Sequence, residues 1–273
     1  MPNTAKKREN LEILISTKNR NSLDFLNSMF PLGKYDGYQI LIINQTTESN
    51  TLTSNSEHIR VINSFETGLS RSRNLALEHA QGDICLIADD DVTYTENFDQ
   101  YIYDAFVRHK GADIITFKMV DEHGRDFKTY PNTEIHDKKS ISSVNSVVIA
   151  FRRESLVNSP IRFNPLFGLG GTFQTGDEYV FLRNALDENL KLFFEPSVIL
   201  SHPFNSSGRD SGSDRLVFGR AGIYAKYSGS LAYLRVVKYV YLIFRRGHIN
   251  ANQILPKLAT GFKAVSAYKR MAN

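Results

Sequence analysis

Two hydrophobic patterns alternate along the chain. In LEILIST (11–17), YQILIIN (38–44), IRVINS (59–64) and DICLIA (83–88), apolar residues fall on successive positions. Runs of this kind predict strands covered on both faces. ADIITF (112–117), SSVNSVVIAF (142–151), LKLFFEP (190–196) and SVIL (197–200) predict further strands. Between them the spacing turns helical. Leu23, Leu26 and Phe30 share a face, with Pro31 and Gly33 as a stop. The stretch SRSRNLALEHAQG predicts a helix from about Ser70, closed by Gly82. Strands alternating with helices predict an α/β fold: a mainly parallel sheet flanked by helices.

From about residue 215 the pattern changes. SLAYLRVVKYVYLIFRRG carries apolar residues at helical spacing, interrupted by Arg235, Lys238, Arg245 and Arg246. Charge divides at the same place. The net +4 is the sum of 22 basic against 29 acidic residues up to position 214 (−7), and 11 basic against no acidic residues from 215 on (+11). Two regions are therefore expected, a sheet domain over 1–214 and a basic, amphipathic helical segment over 215–273. The apolar share, 41%, is that of a globular chain with a sizeable core. No run approaches the roughly 18 uncharged apolar residues of a membrane span. The N-terminus MPNTAKKREN lacks the pattern of a secretory signal. The single cysteine, Cys85, lies in an apolar run, which predicts a small buried hydrophobe and excludes a cysteine zinc site. A reducing cytoplasm fits.

In a parallel sheet, ligands bind beyond the carboxyl ends of the strands. The turns there begin TKNR (17–20), NQTT (44–47) and, after LIA, the triplet Asp89, Asp90 and Asp91. One aspartate at a strand-to-helix turn caps a helix; three adjacent carboxylates repel, and a divalent cation among them would relieve this. An EF-hand register starting at Asp89 fails, with Tyr94 where glycine and Gln100 where glutamate are required. Hard oxygen ligands favour Mg²⁺ or Mn²⁺, completed by water and phosphate. Gly171 and Gly176 have Walker-like spacing but are followed by Asp177, and no dinucleotide-binding glycine fingerprint follows the first strand.

EILISTKNR, ILIINQTTES, GLSRSRNLALEHAQGDICLIADDDV and TGDEYVFLRNALDENLKLFFEPSVILSH, in this order over about 10–204, resemble family 2 glycosyltransferases with the GT-A fold, a Rossmann-like sheet. The resemblance implies transfer of a sugar from a nucleotide-diphosphate sugar, with inversion. It implies that the Asp-x-Asp at Asp89 and Asp91 serves the metal, Asp91 as the direct ligand, with Asp90 between them. Asp89 more often reaches the ribose or a metal-bound water. Thr17, Asn19 and Arg20 match the turn that touches the base. Asn44 stands where the family has an aspartate that binds uracil, which leaves the base open although a UDP-sugar is favoured. Arg73 and Asn74 match an Ala-Arg-Asn pattern, Arg73 pairing with Asp89 or the diphosphate. Asp177 and Glu178 match the acidic pair that holds the catalytic base, in reversed order; by position Glu178 is the base. Both would also suit a helix N-terminus, where negative charge is favourable. FGLGG (167–171) resembles the acceptor-side loop. His202 matches a histidine near the metal, and Ser207 and Arg209 a loop over the diphosphate.

The expected acceptor is a glycan or lipid-linked glycan, as in surface polysaccharide synthesis. The basic segment suits a membrane surface, at the inner face of the cell membrane, or a second subunit; nucleic acid is excluded by the acidic body and the lack of a binding motif. Two other readings stay open at this point: a nucleotidyltransferase releasing pyrophosphate, and a non-catalytic glycan-binding or scaffold protein on a transferase fold.

Overall fold

A computed structural model describes residues 9–30, 34–203 and 211–272. The expected stop at Pro31 and Gly33 and the expected diphosphate loop with Ser207 and Arg209 lie outside the described residues. The chain forms two compact units. Of the described residues, the first comprises 9–30, 34–67, 71–162 and 181–203, the second 68–70, 163–180 and 211–272.

The first unit is built on one eight-stranded sheet. Its strands are β1 (Leu11–Lys18), β2 (Gln39–Gln45), β3 (Ile59–Ser64), β4 (Ile84–Asp89), β5 (Thr93–Tyr94), β6 (Ile114–Val120), β7 (Ile149–Arg152) and β8 (Leu192–Ser201), in the order β3-β2-β1-β4-β7-β6-β8-β5. The strands β3, β2, β1 and β4 run parallel, as do β6 and β8. β7 is antiparallel to both β4 and β6, and β5 to β8. Three of the four apolar runs are inner strands, with β1 buried from Leu11 to Thr17 and β2 from Ile40 to Gln45; IRVINS, expected to be covered on both faces, is the edge strand β3, where only Ile59 is buried. The one carboxylate inside β1, Glu12, is buried yet satisfied. It accepts from Arg60 Nη2 (2.6 Å) and from the backbone amides of Gln81 (2.5 Å) and Gly82 (2.9 Å).

Helices α1 (Phe25–Met29), α2 (Leu69–His79), α3 (Phe98–Arg108), α4 (Arg153–Val157) and α5 (Asp177–Asp187) connect these strands. The face expected from Leu23 to Phe30 condenses to the five residues of α1. The α3 helix, absent from the expectations above, buries Phe98, Ile102, Ala105 and Phe106 at helical spacing. Cys85 is buried and free, and burial pushes its thiol well above the usual range.

Two further expectations need correction. The stretch 142–151 is not one strand. Residues 140–143 and 146–148 form single 3₁₀ turns, and only Ile149–Arg152 pairs. LKLFFEP and SVIL are not two strands either, because β8 runs through Pro196. The ladder gives way around the proline: Thr116 pairs with Phe194 but Lys118 with Val198, so two steps on β6 meet four on β8.

The second unit contains α6 (Asp214–Ser228), α7 (Ala232–Arg245) and α8 (Ile254–Ala272). Its core joins Phe167, Phe173, Val217, Val236, Val240, Ile243 and Val265. The close approach of Phe173 to α6 requires Gly222, where a β-carbon would collide with the ring. No described helix is long and apolar enough to cross a membrane.

Candidate active site

The parallel register brings the polar strand ends onto one edge. Ser16 lies opposite Asp89, Thr17 opposite Asn44, and Asn44 opposite Asn63. The turns expected to share this edge do so, since β1, β2 and β4 end together there.

The three aspartates face three different partners. Asp89, half-buried, receives Arg73 Nη2 of α2 at 2.9 and 3.2 Å. Arg73 is buried and also donates to Ser146 Oγ at 2.8 Å. Asp90 accepts from Thr17 Oγ1 at 2.5 Å and from Arg20 Nε at 2.7 Å. Asp91 is the most open, with 57% of its side chain exposed, and its Oδ1 lies 3.4 Å from His202 Nε2. The repulsion within the triplet is thus relieved by separate cationic and hydroxyl partners. Among the described residues, no three carboxylate, imidazole or thiolate groups converge to hold a metal.

His202 follows directly on β8, whose last residue Ser201 pairs with Thr93 of β5 beside the aspartate turn. Its Nδ1 lies 2.8 Å from the Pro203 carbonyl. A carbonyl only accepts, so Nδ1 carries a hydrogen and the neutral ring turns its Nε2 lone pair toward Asp91. A lone pair facing a carboxylate calls for a positive charge between them. Either a proton or a metal ion supplies it. The hydrogen bond to His202 holds the Asp91 carboxyl below its usual range, against the opposite pull of partial burial. Burial alone would lower the His202 pKa. The contacts with Asp91 and the Pro203 carbonyl, together with the charge of Asp89, outweigh it and raise the value. One oxygen and one nitrogen donor fit a divalent cation that takes its remaining ligands from a diphosphate and water. Asp89, expected at the metal, the ribose or a metal-bound water, receives Arg73.

Asn44 is fully buried, and its amide serves the protein. Its Nδ2 donates to the Arg20 carbonyl (2.9 Å) and to Asn63 Oδ1 (3.0 Å), and its Oδ1 accepts from the Arg20 amide (3.1 Å). Asn63 in turn holds both backbone groups of Leu52. The side chain expected at the base therefore braces the turn that aims Arg20 at Asp90. Asn19 in that turn has a left-handed backbone (φ 55°) and an exposed side chain. Asn63 and Ser146 were not singled out in the sequence. An asparagine next to the end of β3, in register with Asn44, was the available signal for the first; Ser146 gives none.

In the second unit, Asp177 and Glu178 open α5, Asp177 buried and Glu178 half-buried. Asp177 packs against Gly168, which has φ +88°; a β-carbon there would lie 2.8 Å from Asp177 Cγ. The glycine segment is fastened to residues 68–70. The Leu69 amide donates to the Leu169 carbonyl (2.9 Å), Ser70 Oγ to the Phe167 carbonyl (2.7 Å), and Gly170 lies against Gly68.

The profile described as glycosyl transferase family 2 matches residues 12–187. Among solved structures, S. aureus TarS 1–349 is similar with a TM-score of 0.54 at 13% identity, covering 97% of this chain and 92% of that one. The same fragment in complex with UDP-GlcNAc gives 0.53 at 13%, with 95% and 83% covered. Its UDP complex gives 0.51 at 13%, with 97% and 92% covered. At this identity the likeness concerns the fold, a mostly parallel GT-A-like sheet. No curated protein sequence matches. The family profile takes in β1 to β7 with the aspartate turn between β4 and β5, and ends at the last residue of α5, so the chain belongs to glycosyl transferase family 2 and is a glycosyltransferase.

Proposed function

We propose that this chain transfers a sugar from a nucleotide-diphosphate sugar, a UDP-sugar by preference, to a hydroxyl of a glycan or lipid-linked glycan, with inversion. The observation that carries this reading is the sheet edge itself, where Thr17, Arg20, Arg73 and the three aspartates come together and His202 stands beside Asp91. Support for UDP comes from the similar TarS fragment, whose structures include UDP-GlcNAc and UDP complexes.

In this reading Asp91 and His202 hold Mn²⁺ or Mg²⁺, which when bound offsets the charge on the departing diphosphate. Arg73 fixes the orientation of Asp89, which faces the ribose or a metal-bound water. Thr17 and Arg20 fix Asp90 and form the wall beside the nucleotide. Asn44 acts on the donor only through the turn it braces. Glu178 takes the proton of the acceptor hydroxyl as that oxygen attacks the anomeric carbon from the face opposite the diphosphate. The bond to the diphosphate oxygen breaks with its electron pair, and a nucleoside diphosphate leaves. Asp177, packed against Gly168, holds the start of α5 in place.

The test is a thermal-shift panel of nucleotide sugars with Mn²⁺, followed by assay of the released nucleotide. UDP-sugars are expected to raise the melting temperature only with Mn²⁺, and UDP is expected as product. Asp91→Ala should abolish the shift. Release of pyrophosphate would overturn the reading in favour of nucleotidyl transfer. A metal-dependent shift that survives Asp91→Ala would overturn the metal assignment.

A further inference from the structure

One face of α7 has no partner among the described residues. Val236, Val240 and Ile243 turn into the core of the second unit. On the other side Leu231, just before the helix, is 60% exposed, Leu234 67%, Val237 44%, Tyr241 53% and Leu242 37%. Arg235, Lys238, Arg245 and Arg246 are exposed among them. Arg245 donates to the Tyr241 hydroxyl at 3.1 Å, its guanidinium 5.9 Å from that ring. The sequence has no acidic residue from 215 onward, and the carboxylate just before, Asp214, is taken by Lys257 at 3.0 Å. Among the described residues, none of these four cations meets a carboxylate.

We propose that this face of α7 docks on an anionic lipid surface. A partner must satisfy two demands at once: cover leucine, valine and tyrosine side chains, and neutralise four cations. A second copy applying the same face would cover the apolar groups but set cation against cation, because a two-fold contact pairs a patch with itself. An acidic protein surface would answer the charge and bury the leucines against polar groups. A bilayer rich in anionic headgroups answers both. The leucines enter the acyl boundary and the long basic side chains reach up to the phosphates. Tyr241, apolar in body and polar at its tip, suits the same level. The helix lies on the surface rather than through it: its 14 residues span about 21 Å, short of a hydrocarbon core of roughly 30 Å.

The test is co-sedimentation of the whole chain with phosphatidylcholine vesicles, with and without phosphatidylglycerol, across a salt series. Binding is expected to be at least tenfold stronger to the anionic vesicles and to weaken as salt is raised. The pair Leu234→Glu and Tyr241→Glu should abolish it, and the pair Lys238→Glu and Arg245→Glu should reduce it to the level of neutral vesicles. All four positions are exposed, so circular dichroism and the nucleotide-dependent thermal shift should stay as in the parent. The proposal is overturned by absence of binding to anionic vesicles, or by equal binding to neutral ones. It is equally overturned by a dimer mass in solution that Leu234→Glu converts to monomer. The salt series on the parent chain decides between lipid charge and nonspecific adsorption even if one variant fails to fold.

Discussion

The sheet edge and the α7 face both concentrate charge, and they treat it in opposite ways. At the edge, each of three neighbouring carboxylates has a counterpart supplied from elsewhere in the chain: Arg73, Thr17 with Arg20, and His202. Along α7, cations and leucines stand together and meet no acid among the described residues. Charge matched internally keeps side chains in fixed orientation, as preorganised chemistry requires. Charge left unmatched is a request for something outside the chain. Within the edge the same contrast recurs on a smaller scale, because Asp90 is tied down from two sides while Asp91 is open apart from one imidazole.

The largest effect that would sharpen this contrast is on turnover. Asp91→Ala should lower kcat/KM by about a thousandfold, roughly 4 kcal/mol of lost stabilisation of the leaving group, read in a steady-state assay. Asp91→Ala should leave urea stability nearly unchanged, since the group is mostly exposed. Next is Arg73→Met, which strips the half-buried Asp89 of its guanidinium. A cost of about 2–3 kcal/mol is expected in urea unfolding, at the low end for a buried pair because Asp89 keeps some water. The exposed pair Arg71–Glu66 has the same 2.9 Å separation, and Arg71→Ala should cost less than about 0.5 kcal/mol. Equal costs for the two would dissolve the distinction between fixed and free charge. Asn44→Ala leaves the Arg20 backbone groups and Asn63 Oδ1 short of a partner, with an expected loss of about 1–2 kcal/mol and a raised KM for the donor. A change in base preference without loss of stability would instead mean that Asn44 reads the base.

The smallest effect is with pH. The raised pKa of His202 means that the ion pair with Asp91 gives stability that is complete below the ordinary histidine value. That stability is lost as pH climbs through the raised value. The lowered pKa of Asp91 sets the other limit: the contribution fades as pH falls through that value. Manganese competes with the proton on Nε2, so its affinity should drop about tenfold per pH unit below the His202 pKa. Titration calorimetry of Mn²⁺ with UDP at pH 6 and 8 would show this; a pH-independent affinity would remove His202 from the ligand set.

Strand positions were legible because β1, β2 and β4 are apolar on successive residues, a pattern that only a doubly covered strand needs. The aspartate triplet at the end of β4 marked the functional edge for the same reason: the apolar run stops there. Of the groups the aspartates face, Arg73 at Asp89 was legible through the resemblance, whereas Thr17 and Arg20 at Asp90 were not. The triplet by itself suggested a shared cation and said nothing of Arg20, which a neighbouring turn delivers to Asp90. The role of Asn44 depends on Asn63, which reaches it only through the β2–β3 register. Pro196 misled for a local reason. A proline lacks the amide a ladder needs, so the sequence alone reads as a break there, and the fold absorbs it in an irregular stretch.

That irregular stretch also acts as a spacer. From Thr116 to Val120 β6 advances four residues, while β8 advances seven, from Phe194 to Ser201. Had the strands kept step one for one, Val120 would stand opposite Val198, and Ile199 would occupy the place after it. The three surplus residues draw the histidine back by three places, to the rim of the ladder, and, being odd in number, reverse which face each later side chain presents. The reach of the imidazole to Asp91 is thus measured out by backbone slack around a proline.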